Sequence, residues 1–180
     1  MNRKIAEQED KWMGKAIAFV VILLICALGS SCFAQQARPL TVFPQAKQSA
    51  RPDASESERA KKLYELARNE NRRLQWDSCL AMKAFIRAKR MVTERYFGHE
   101  DPKTGKNPVW KTVRQCIPDK SKRSKVPAGE NLAKGIDTPA NIHKALMASP
   151  THRKNIMDRR FNHVGVGCYD YICVELFAGF

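Results

Sequence analysis

Residues 127–157 read PAGENLAKGIDTPANIHKALMASPTHRKNIM, and the punctuation of this stretch decides the fold. Thr138-Pro139 and Ser149-Pro150 each place a capping residue before a proline suited to the first helical position. Two short consecutive helices are therefore expected, ending near Ala148 and Asp158. Gly129 to Ala133, just before them, reads as a short strand or turn. Upstream, Phe97-Gly98-His99-Glu100-Asp101-Pro102 is broken by glycine and proline and reads as a loop. Downstream, HVGVGCYDYICVELFAG reads as two strands joined by a tight turn at Asp170-Tyr171. His99, Glu130 and His152 thus come from three separate segments. Two imidazoles and a carboxylate are the donors a divalent cation or acid–base chemistry requires.

Working outward, Ser55 or Ser57 is expected to cap a helix to about Asn71, with Ala60, Leu63, Tyr64, Ala67 and Leu74 on its apolar stripe. Arg68, Arg72 and Arg73 are expected in solvent. Asp77 caps a second helix to about Tyr96, with Ala81, Ala84, Phe85, Ala88, Met91 and Val92 at helical spacing. Lys83, Arg87, Lys89, Arg90 and Arg95 fall to its other faces. Asn107-Pro108 opens a short helix through about Arg114, and Gln115 to Pro127 is a basic loop. Before all of these, residues 35–54 are rich in Pro, Gln and Ala without period, as in a flexible linker. Residues 16–28 form an apolar run, AIAFVVILLICAL, of signal-peptide length. Three fates are open to residues 1–34: cleavage after Ala34, retention as a membrane anchor through residues 16–34, or lipidation at Cys32.

The chain has 180 residues, a net charge of +14 and 43% hydrophobic residues. That composition allows one packed core and excludes disorder along the whole chain. Almost all the charge excess lies beyond residue 34, and it favours anionic partners. Cys26 and Cys32 belong to the leader. Cys79, Cys116, Cys168 and Cys173 belong to the domain, where an exported chain makes two disulfides from three arithmetically allowed pairings. The Asp170-Tyr171 turn would set Cys168 opposite Cys173, and a Cys79–Cys116 bridge would restrain the basic loop.

The order F-G-H-x-D-P, G-E-N-L-A, S-P-x-H-R-x-N-I-M and V-G-V-G resembles the CAP superfamily. This is the SCP domain of cysteine-rich secretory proteins, antigen 5 and plant pathogenesis-related proteins, here in its compact bacterial form. The resemblance runs from about Glu58 to Ala178. It implies an α+β fold, a three-layer α-β-α sandwich with a small, mainly antiparallel sheet, over residues 55–180. It also implies a central cleft. His99 matches the family's first histidine, Glu130 its first glutamate and His152 its second histidine, with Asn131 beside them. The family's second glutamate has no counterpart in Leu146-Met147-Ala148-Ser149, and a tryptophan frequent near Leu146 is absent. Glu100 and Asp101 are the carboxylates nearest in sequence that would stand in.

For function, the resemblance implies an exported protein, periplasmic, secreted or envelope-attached, that binds rather than reacts. Its expected partners are an anionic envelope component, a lipid or a host protein in preference to nucleic acid. The alternative is a divalent-metal-dependent hydrolase, of peptidase or nuclease type, using His99, Glu130 and His152. In that reading His99 and His152 hold Zn²⁺ or a similar ion. The first turn of a helix should keep the His152 imidazole neutral. Asn155, one turn further, would rim the cleft.

Overall fold

A computed structural model describes residues 50–135 and 138–180. The leader, and the linker up to residue 49, lie outside the described residues. Among those described, no helix is long and apolar enough to cross a membrane.

The elements run α1 (Ala54–Glu70), β1 (Gln75–Trp76), α2 (Ser78–Thr93), α3 (Val109–Arg114), β2 (Ala128–Lys134), α4 (Pro139–Ala148), α5 (Pro150–Met157), β3 (His163–Tyr169) and β4 (Ile172–Ala178). Helix α1 begins two to four residues earlier than its serines indicate. Asp53 caps it, accepting from the Glu56 N–H, and Glu56 answers by accepting from the Asp53 N–H. This reciprocal capping box satisfies two otherwise orphaned donors, so neither Ser55 nor Ser57 is the cap. Asp77 does cap α2, accepting from Leu80 N–H at 2.7 Å. The Thr138 hydroxyl does the same for α4, accepting from Asn141 N–H. Ser149 occupies the cap position of α5 but makes no side-chain capping bond; Pro150, with no N–H, has already removed one donor that would need it.

The sheet has four strands in the order β1-β3-β4-β2. β3 and β4 form an antiparallel hairpin, β2 pairs antiparallel with β4, and the two-residue β1 pairs parallel with β3. Helices cover both faces. On one face α2 and α3 pack on Leu132, Tyr169, Ile172, Val174 and Leu176. On the other, α1, α4 and α5 pack on Val164, Val166, Cys168, Cys173 and Phe177. The chain therefore folds as the three-layer α+β sandwich.

Two glycines set how deeply α2 sits. A Cβ on Gly165 would stand 2.1 Å from the Ala81 nitrogen, and one on Gly167 2.0 Å from the Phe85 nitrogen. Only bare backbone lets the alanine-rich stripe of α2 lie flush on β3. At the hairpin tip Asp170 adopts φ +52°, a left-handed conformation that aspartate tolerates better than most residues. The turn puts Cys168 opposite Cys173 with Cα atoms 4.1 Å apart, the close approach of a non-hydrogen-bonded pair. Both expected disulfides, Cys168–Cys173 and Cys79–Cys116, are formed.

Candidate functional site

β2 forms one edge of the sheet, and the site is built around it. Successive residues of a strand point to opposite faces, so Glu130 faces the α2 layer and Asn131 faces the α5 layer. His99 reaches Glu130 from the loop after α2, and His152 lies in the first turn of α5 beside Asn131. The cleft is where the two helical layers meet at the open side of the sheet.

The Glu130 side chain is 2% exposed and its charge is met from below by Arg87, itself 5% exposed. Arg87 Nε donates to Glu130 Oε2 at 2.9 Å. Its Nη2 donates to the carbonyls of Gly98 and His99, and its Nη1 to the Tyr96 hydroxyl. One guanidinium thus fixes both the carboxylate and the backbone of the loop carrying His99, a use of the planar fork that lysine cannot reproduce. His99 Nδ1 lies 2.8 Å from Glu130 Oε1, which holds the imidazole while its ring stays exposed.

On the other face, Asn131 Nδ2 donates to Glu175 Oε2 at 3.0 Å and to the His152 carbonyl at 3.2 Å. Asn155 Nδ2 donates to the Glu130 carbonyl and to Asn131 Oδ1, clasping α5 to the strand. Glu175 is wholly buried, its Oε1 has no hydrogen-bond partner, and desolvation pushes its carboxyl up to about 7 against the pull of the Asn131 bond. Burial lowers the His152 pKa, and the nearby charge of His99 lowers it further. The shift runs in the direction expected of a helix terminus, but desolvation is its main cause.

His99, Glu130, Asn131, His152 and Asn155 are thus drawn into one region. Asp101 is not: it accepts from Arg90 Nη2 at 3.0 Å on the α2 side and does not replace the missing second glutamate. Two residues of the site escape the sequence reading. Arg87 falls there among the cations on the other faces of α2, although its spacing from Ala84 and Met91, three residues before and four after, places it beside the buried stripe. Glu175, between Val174 and Leu176, looks like the outward residue of an alternating strand. In a sheet covered on both faces there is no outward side. Arg68, expected in solvent, is instead half-buried and donates to the Leu74 carbonyl.

The donor set falls short of a tightly held metal. Catalytic zinc sites supply three protein ligands. Here both Glu130 oxygens are already engaged by Arg87 and His99, leaving two imidazoles. Among the described residues, the set of three donors that closes within 4.8 Å is Asp77, Cys79 and Cys116, and its two sulfurs are spent on a disulfide.

Beside His152 the cleft deepens into a hollow of about 460 Å³ between β2 and α4, lined by Phe97, Leu132, Ala133, Lys134, Ala145 and Leu146 among others.

The family model of the cysteine-rich secretory protein family (CAP) matches residues 50–173. An uncharacterised protein of Bacillus subtilis (strain 168), YkwD, is 38% identical over 112 residues, 59% of this chain; the chain spans 41% of that relative's length. An extracellular SCP-domain protein of Bacillus anthracis superposes with a TM-score of 0.58 at 24% identity, over 72% of this chain and 44% of the other. An outer surface protein of Borrelia burgdorferi gives 0.54 at 23% identity, over 67% and 92%. Layer order, the cleft at the sheet edge and the family match agree, and the chain belongs to the cysteine-rich secretory protein (CAP) family.

Proposed function

We propose that this chain is an exported binding module whose cleft, formed by His99, Glu130, Asn131 and His152, takes an anionic ligand at the cell envelope or outside the cell. The basic surface raises the local concentration of such a ligand. One observation carries the reading: Glu130 is clamped by Arg87 and His99 and Glu175 is wholly buried beneath it, so among the described residues the cleft presents no free carboxylate to act as a base. A hydrolytic role for His99, Glu130 and His152 has less support for the same reason. Export is supported by the two disulfides, which persist in oxidising compartments, and by relatives described as extracellular and outer-surface proteins.

The test is capture from native envelope and culture supernatant on immobilised oxidised protein, wild type against His99→Ala/His152→Ala. Bound material is eluted by salt and classed as lipid, polysaccharide or protein. Anionic material retained by the wild type, released by salt and absent from the variant is the expected result. Equal capture by both proteins refutes a role for the cleft.

A further inference from the structure

The hollow beside His152 is lined by four consecutive residues, Leu132, Ala133, Lys134 and Gly135. Side chains of a strand alternate, so a cavity touching four in a row is touching the strand's backbone edge. The ladder register shows which groups lie there. Across the two-residue turn Tyr169 and Ile172 form the closing pair, so Ile172, Val174 and Leu176 bond to β3, and Cys173, Glu175 and Phe177 bond to β2. Their β2 partners are Ala133, Asn131 and Gly129. Glu130, Leu132 and Lys134 therefore turn their N–H and C=O groups away from the sheet. Asn155 takes the Glu130 carbonyl, while those of Leu132 and Lys134 meet the hollow.

An edge strand with unpaired polar groups is a template for another strand, and folds ordinarily blunt it. Here, among the described residues, no strand pairs with it, and it lies beside an apolar wall of Phe97, Ile142, Ala145 and Leu146, with Phe97 43% exposed. Among the described residues the lining holds no carboxylate, and its one charged side chain is Lys134, whose ammonium lies 5.8 Å from the Phe97 ring centroid.

We propose that this edge binds an extended peptide, which adds as a fifth strand along Leu132–Lys134, seats an apolar side chain against Phe97 and Leu146, and sets a neighbouring carboxylate on Lys134. This rests on the cleft reading above and names the carrier of the anionic group. Backbone pairing supplies affinity, and the hollow and the lysine supply selectivity.

The probe is the capped pentapeptide acetyl-TVLVE-amide, titrated into the oxidised protein and followed by amide NMR. Expected are saturable shifts and slowed hydrogen exchange at the Leu132 and Lys134 amides. Binding should weaken about tenfold or more when alternate peptide amides are N-methylated, which keeps the side chains and blocks pairing. Ala145→Trp fills the hollow from an exposed helical position and should abolish binding. Lys134→Glu should weaken it, and changing the peptide's Glu to Lys should restore it. Unchanged affinity of the N-methylated peptide, or binding that survives Ala145→Trp, overturns the proposal. Should acetyl-TVLVE-amide fail while the wild type still captures salt-released anionic material and the histidine variant does not, strand addition falls and the binding cleft stands.

Discussion

Glu175→Gln is the sharpest perturbation, because it removes one buried acid and leaves the shape intact. In the fold the carboxyl titrates at about 7 because it is desolvated; in the unfolded chain it returns to its ordinary 4.5. Between those values the folded state holds a proton that the unfolded state has lost. Unfolding free energy must then fall as pH rises. The contribution is fully present below pH 4.5 and gone once the pH has passed about 7. At about 1.4 kcal/mol per pH unit, the interval is worth about 3 kcal/mol. The variant cannot titrate, yet its amide oxygen still accepts from Asn131 Nδ2. Urea unfolding of both proteins with disulfides intact, from pH 4 to 9, isolates this one group, since every other titration is common to the two. The stability of the variant minus that of the wild type should rise by about 3 kcal/mol across the window and level off above it. A difference that stays flat with pH would refute the assignment of a protonated acid beneath the cleft.

Three further outcomes are expected. Arg87→Ala strands Glu130 in the interior and should cost about 3–5 kcal/mol in urea unfolding; Arg87→Lys should recover little of it, because the carbonyls of Gly98 and His99 lose their fork. Opening Cys79–Cys116, which closes 37 residues, should cost about 4 kcal/mol, against about 2 for Cys168–Cys173, which closes 5, both by loop entropy; a reversed order in the paired serine variants would contradict that account. His152, lowered in the fold, contributes stability that is lost as pH falls below about 6.5, where the unfolded chain takes up the proton first, in the sense opposite to Glu175. The stability of the wild type minus that of His152→Gln should therefore fall on the acid side of that pH, and no change in this difference would count against it.

Much of the frame was legible because it rests on local chemistry. Thr138-Pro139, Asp77 and the Asp170-Tyr171 turn each fix a boundary through one or two residues, and each boundary is where its residues put it. The cleft was legible only through resemblance, since nothing in the spacing of His99, Glu130 and His152 requires them to meet. What stayed hidden are partners whose meaning depends on another layer. Arg87 is a cation on a helix until Glu130 is known to lie beneath it. Glu175 is a strand residue like any other until both faces of the sheet are covered. Gln75–Trp76 is too short to show a period at all.

The paired glycines of β3 act as a depth stop for the helix that carries Arg87. A single methyl at Gly167 would lift that helix, draw its guanidinium off the carboxylate and loosen the loop that carries His99 and, two residues earlier, the Phe97 wall of the hollow. A substitution in the middle of the sheet would therefore be felt at its rim, together with the loss of stability that so close a backbone approach imposes.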